Sequence, residues 1–438
     1  MNRVREAARQ TRVLCETEVL VVGGGARTTL LERYGCLGGV ITQVGVGTVA
    51  WYRHEGTIDL QGIGIELEQR AREMGATTPD AQSRSEALDP ELFKVVADRL
   101  VEEAGVAPLL HCLAVEPLVE GGRIKGVVTE SKAGRLAVLA DRVVDATGDA
   151  DVAWRAGARC RAIAPNESMG VTVMFSCSGV DKRRFLDHVA AVAPTYGDWT
   201  SCWHVETAGK EDHLFSPYLQ EPFDLARKAG MIPADVHGIG GTWGHVSDDG
   251  EVSSLNLVVM GGYDATDVRD LTRAEIEGRR RALLAIDALR RFTPGFERAR
   301  LRNFGMTLGV RDSRKIVGRY ELTGDDVRGE ARFADAVGIF PEFIDGYGLL
   351  VLPTTGRYFQ VPYGALVPEG VENLLVAGRC VAGDRVAHAA TRAQMCCAVT
   401  GQAAGVAAAV ALADRCGTGE VEVGHVQMAL RAQGVRLE

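Results

Sequence analysis

Val19-Leu-Val-Val-Gly-Gly-Gly25 is the stretch on which the reading of the fold turns. An apolar run that ends in three glycines has the form of the first strand of a dinucleotide-binding unit. The glycines let backbone N–H groups approach a pyrophosphate, and a helix normally follows whose N-terminus adds a favourable dipole. A second strand then ends in an acidic residue about 20 positions on. Here Thr28-Thr-Leu-Leu-Glu32 arrives almost at once, so both strands are present and the first crossover helix is missing.

Reach sharpens that oddity. Ala26 and Arg27, taken as the whole connection, span ~7 Å at most. The return along a five-residue strand is roughly 17 Å, and a parallel neighbour normally needs ~10–12 crossover residues. The sequence therefore predicts a hairpin turning at Gly23–Ala26, with Glu32 carried to the edge opposite the glycines. It also predicts apolar sheet surface uncovered by the lost helix.

The rest of the chain reads more plainly. With 438 residues, 46% of them hydrophobic, it can bury a large core and is expected to form two domains. A net charge of -9 argues against a nucleic-acid partner, which needs a clustered basic face. Of ten cysteines only Cys396 and Cys397 are neighbours, so no CxxC scaffold exists for zinc or an iron–sulfur cluster, and no metal is expected. Met1 to Glu6 is polar and no uninterrupted apolar run approaches ~18 residues. The expectation is a cytoplasmic protein with reduced thiols and no membrane span.

Asp89-Pro-Glu-Leu92 is a helix opening, with Asp89 as cap. Val115–Val119, Ile124–Ser131 and Arg135–Ala140, separated by glycine turns, predict an antiparallel meander. Val144-Asp-Ala-Thr-Gly-Asp149 and Asn373-Leu-Leu-Val-Ala-Gly-Arg379 predict buried strands that run into glycine turns. Between them, residues from about 163 to 361 mix strands, histidine- and tryptophan-bearing loops and a charged helix from Thr272 to about Phe292. Ala398–Ala413 reads as a tightly packed helix. The division expected is a first part of the cofactor domain over 1–162, an inserted α+β substrate domain over 163–361 and the second part of the cofactor domain over 362–438.

In this order the motifs resemble the FAD-dependent oxidoreductases of the glutathione-reductase structural type, distant kin of fumarate reductase flavoproteins and of heterodisulfide reductase. The resemblance rests on Val19–Gly25 with Glu32-Arg-Tyr-Gly-Cys-Leu-Gly-Gly39, on Val144–Val152, on Leu308–Gly318 with Leu322–Asp326, and on Asn373–Gly405. It implies an α/β fold: an FAD/NAD(P)-binding Rossmann-like parallel sheet with an antiparallel meander and an inserted substrate domain. FAD is the cofactor implied. Gly23, Gly25, Gly38 and Gly39 would approach it closely, Glu32 beside Arg33 would bind ribose hydroxyls, and Thr147-Gly148-Asp149 would pass near it. Gly378, Arg379 and Asp384 would face the ribityl chain and ring, with Gly401 at a helix N-terminus aimed at the flavin.

His388 and Arg392 are the catalytic residues the resemblance implies, the first to pass a proton and the second to hold a carboxylate or oxyanion. Val386 and Met395 depart from the family's acidic residue and proline. The function expected is hydride transfer between a small organic substrate and flavin, with a homo-oligomer or a redox partner protein as a further expectation. The alternative is a flavin-poor or flavin-free, non-catalytic homologue acting as a binding or assembly partner.

Overall fold

The computed structural model describes residues 10–438 apart from 23–27, 50, 55–56, 59, 81–82, 84, 192–202 and 211–217. Its frame is a seven-stranded sheet. The strands are β1 (Arg12–Val22), β2 (Thr28–Leu31), β3 (Ala107–Leu109), β4 (Leu113–Glu120), β5 (Arg123–Ser131), β6 (Gly134–Asp145) and β7 (Leu374–Val376). They lie in the order β3-β2-β1-β6-β5-β4, with β7 also on β6.

One strand does two jobs. The sequence predicts separate strands at Arg135–Ala140 and after Arg142, but β6 is continuous over 12 residues. Its first half closes the meander by antiparallel pairing with β5, from Ser131↔Gly134 to Gly126↔Leu139. Its second half pairs in parallel with β7, from Val143↔Leu374 to Asp145↔Val376. The strand also pairs with β1 along its length, ending at Val22↔Asp145. The β-branched pair Val143 and Val144, both buried, suits the parallel half.

β1 and β2 are parallel: Val19↔Thr28, Leu20↔Thr29, Val21↔Leu30. The hairpin expectation is thereby overturned. Thr28 sits only three residues back from Val22, ~10 Å along the strand and ~5 Å across. Residues 23–27, which lie outside the described residues, supply six Cα–Cα steps, or ~20 Å of reach. Counting Ala26 and Arg27 alone makes the link too short and the return too long. Parallel pairing also brings Glu32 to the same sheet end as Val22, not the opposite one.

Nor is the sheet left bare at this place. Leu20, Val21, Leu30 and Leu31 are all buried. Helix α1 (Pro90–Glu103), capped by Asp89 accepting from Glu91 N at 2.7 Å and Leu92 N at 3.0 Å, brings Ala97 against Leu30, Leu37 and Val106.

A second hydrophobic cluster is drawn from residues 171 to 308. It packs a mostly antiparallel sheet centred on Val252–Met260 against helix α2 (Val268–Phe292). Ala274, Gly278, Ala282, Ala285 and Leu289 form the buried stripe of α2 at helical spacing. The helix starts a turn before Thr272 because Asp267 caps it, accepting from Arg269 N and Asp270 N. From Ile316 onward the buried residues rejoin the first core.

Two helices bring that core to the cavity, α3 (Arg385–Thr391) and α4 (Gln394–Ala413). The extended backbone of Ala393 separates them, so α4 begins at Gln394 and not near Thr400-Gly401. Alanines 403, 404, 407, 408 and 411 are buried, and α4 packs on β1, β6 and β7. With a mean hydropathy of 1.7, α4 is long and apolar enough to cross a membrane by length and composition. It escapes a reading for uninterrupted apolar runs because Thr400 and Gln402 break the run without adding charge.

Candidate cofactor and active site

The carboxyl ends of β2, β6 and β7 open on one cavity of about 340 Å³. Ligands of open parallel sheets bind at this end, outside the strand termini. Glu32 and Arg33 enter from β2, Thr147-Gly148-Asp149 from β6, and Gly378-Arg379 from β7. Gly38 and Gly39 line it from the following loop, Thr307, Leu308 and Val310 from the region of the second core, and Arg392, Gln394 and Cys397 from the C-terminal helices.

Glycine is required by the backbone at several of these points. Gly38, Gly39, Gly148 and Gly378 have φ of 101°, 55°, 79° and 82°, values that L side chains rarely adopt. At Gly148 space is short as well: a Cβ would lie 2.7 Å from the Arg379 guanidinium. Beside Gly39 no atom of the described residues lies within 4 Å of the place a Cβ would take.

The β6 turn is built on Asp145, a carboxylate with no exposed surface. It accepts from Thr147 N at 3.0 Å and Thr147 Oγ1 at 2.7 Å, and from Val152 N at 2.9 Å and Ala153 N at 2.8 Å. Burial pushes its pKa up, against the pull of these donors. Thr147 therefore serves the turn with its hydroxyl. Asp149 accepts from Ser313 Oγ at 2.6 Å and from Arg379 at 3.0 Å, tying the β6 turn to the β7 turn. The other terminal nitrogen of Arg379, Nη1, is buried with no hydrogen-bond partner among the described residues.

At the far end, Glu32 accepts from Tyr34 N at 2.9 Å, and the Tyr34 hydroxyl donates to Thr307 Oγ1 at 3.1 Å. Burial raises the Glu32 pKa, opposed by the Tyr34 N–H and by Arg33.

Three expected residues stand elsewhere. Asp384 caps α3, accepting from Ala387 N and Gly324 N, each at 2.8 Å, so its carboxylate is committed to backbone. Gly401 lies inside α4, since the helix N-terminus that faces the cavity is at Gln394. His388 does not line the cavity. Its Nε2 donates to the Arg311 carbonyl at 3.0 Å and lies 3.4 Å from Asp312, and its Nδ1 is buried with no partner among the described residues. Burial, with Lys315 adding to it, draws its pKa down to about 3, so the ring is neutral. Gly23 and Gly25 lie outside the described residues.

Arg392, which does line the cavity, donates to the carbonyl and the carboxylate of Asp345, the latter at 2.9 Å. Gln43, Gln394 and Thr307 line the cavity although their sequence surroundings do not single them out. Gln43 and Gln394 hold backbone carbonyls of Cys36 and Val46, at 3.2 and 2.8 Å. Such contacts join segments up to 348 residues apart and leave no local pattern.

Strand ends, glycine turns and one cavity define a dinucleotide-binding α/β protein. The chain belongs to the FAD dependent oxidoreductase family, whose model matches residues 21–430; the cofactor of the family is FAD. Among solved structures it is similar to a geranylgeranyl bacteriochlorophyll reductase-like protein from Thermoplasma acidophilum, at 12% identity and a TM-score of 0.45, covering 96% of this chain and 82% of that one. It is also similar to the myxobacterial chondrochloren halogenase CndH, at 12% identity and a TM-score of 0.44, over 95% and 79% of the two chains. A third is the glycerol-3-phosphate dehydrogenase from Bacillus halodurans, solved with FAD, at 13% identity and a TM-score of 0.35, over 62% and 52%. A search of curated proteins finds no match.

Proposed function

We propose that this protein binds FAD in the cavity and transfers a hydride between the flavin and a small organic substrate. The observation that carries the reading is the convergence of Glu32, Gly148-Asp149 and Gly378-Arg379 on one cavity that continues to Arg392. The residues fit the group. A carboxylate at the end of the second strand suits ribose hydroxyls, glycine turns with positive φ admit a phosphate chain to backbone N–H groups, and the Arg379 nitrogen that has no partner among the described residues offers a charged donor. FAD, when bound, supplies the two-electron chemistry.

The protein's own part is positioning and charge. Arg392 is the catalytic candidate, because it reaches the cavity and is held in place by Asp345. His388 is better read as a positioning residue: neutral, buried and bonded to the Arg311 carbonyl, it fixes the segment that leads out of Val310. The test is an absorbance scan of purified protein between roughly 350 and 500 nm, before and after incubation with FAD. A flavin spectrum that survives gel filtration supports the reading. A protein that stays colourless contradicts it and favours the non-catalytic alternative.

A further inference from the structure

One wall of the cavity is held from the second core by a residue with a strained backbone. Ser254 lies in the strand Val252–Met260. It is buried, yet its φ of 53° places it in the left-handed region, which a non-glycine residue rarely enters. The strand bulges there. Phe175 pairs with Leu255 and Cys177 with Val252, so Ser253 and Ser254 together face the single residue Ser176. Bulges of this kind re-aim a side chain, and backbone outliers held in place by their surroundings cluster at functional sites.

The side chain aimed here is a hydroxyl. Ser254 Oγ donates to the Gly45 carbonyl at 2.9 Å and accepts from Gly47 N at 3.0 Å. The gripped segment closes Val40–Val44, a single turn of π-helix in which Gly45 N donates to the Val40 carbonyl. Such turns are rare and frequent at functional sites. Val40, Ile41, Gln43 and Val44 line the cavity, whereas Ser254 does not. Between the two gripped glycines, the Val46 carbonyl accepts from Gln394 of α4 at 2.8 Å. Met306 N donates to the Gln43 carbonyl at 2.7 Å. The trailing end of the turn is thus pinned from two sides, by Ser254 of the second core and by Gln394 at the start of α4.

We infer that Ser254 is a positioning residue of this site. From outside the cavity its hydroxyl fixes the wall Val40–Val44 against the second core, and the strained backbone is what aims that hydroxyl. This rests on the reading of the cavity as the FAD site.

Two variants of the full chain separate positioning from plain stability. Ser254→Ala removes the hydroxyl and keeps the strained φ, whereas Ser254→Gly removes the hydroxyl and relieves the strain. The urea midpoint should be at least as high in Ser254→Gly as in Ser254→Ala. FAD, titrated by fluorescence, should nevertheless bind both at least about tenfold more weakly than wild type. Amide exchange over Val40–Gly47, measured without FAD, should quicken by about tenfold in both. A purely structural serine would give an affinity that follows the midpoint. Wild-type FAD affinity in Ser254→Gly, unchanged exchange over Val40–Gly47 in either variant, or a lower midpoint in Ser254→Gly than in Ser254→Ala overturns the inference. A wild-type chain that takes up no FAD contradicts the flavin reading instead, and the exchange measurement still decides whether Ser254 holds the wall.

Discussion

The two ends of the cavity are made differently. The end at Glu32 and the two turns is shaped by backbone, glycines with positive φ and N–H groups, with Glu32 and the Asp149–Arg379 pair also in the wall and Asp145 as brace. The end at Arg392 carries a charged side chain instead, Arg392 held by Asp345, with the buried His388 one turn earlier in α3. Backbone fixed by strand ends suits a cofactor that stays in place. A charged side chain suits a ligand that comes and goes. The difference also divides what substitution should do: changes at the first end should be felt in folding and FAD affinity, and changes at the second in ligand binding and pH response.

The largest effect is expected at the brace of the backbone end. Asp145→Ala leaves the Thr147, Val152 and Ala153 N–H groups without their acceptor in a buried place, and should lower unfolding stability by about 3–5 kcal/mol in a denaturant titration. A loss under ~1 kcal/mol would show that the turn does not depend on it. Next comes Gly148→Ala, which meets both a φ of 79° and the Arg379 guanidinium. Its strain of about 1–2 kcal/mol should weaken FAD at least about tenfold in a fluorescence titration, whereas Ala substitution at the exposed turn glycine Gly122 should leave FAD affinity alone.

At the charged end the expected signature is a pH dependence. His388 has a folded pKa of about 3, below its ordinary value of 6.5. The unfolded chain therefore takes up a proton that the folded chain refuses. The stability associated with this group is present above pH ~6.5 and falls on acidification at ~1.4 kcal/mol per pH unit. His388→Gln should flatten that part of the stability–pH curve while leaving FAD affinity unchanged. An unaltered slope would mean that the ring is not held neutral. The smallest effect belongs to the exposed pair Arg123–Glu372, at 2.7 Å. Glu372→Gln should cost about 0.5 kcal/mol or less and disappear in high salt.

Legibility in the sequence followed the same division. Apolar runs ending in glycine turns are local signals, so the strands after which Glu32, Gly148 and Gly378 fall could be read directly, and they do meet. The return of β2 beside β1 could not be read, because it depends on register: pairing Thr28 with Val19 shortens a path that looks long when the whole strand must be retraced. The start of α4 was set too late for a related reason. An alanine-rich helix has weak periodicity, and only the extended conformation of Ala393 marks its beginning. The part played by Ser254 has no local sign either, because its partners Gly45 and Gly47 lie 209 and 207 residues away.

Hydrogen–deuterium exchange with and without FAD tests the central claim most directly, namely that the three strand ends form one cofactor site. Slower exchange on adding FAD is expected in the segments containing Glu32–Val44, Ala146–Asp149 and Gly378–Arg379, with little change in the second core around Phe185 and Trp243. FAD that binds stoichiometrically without protecting those three segments, or protects the second core in their place, would contradict the account.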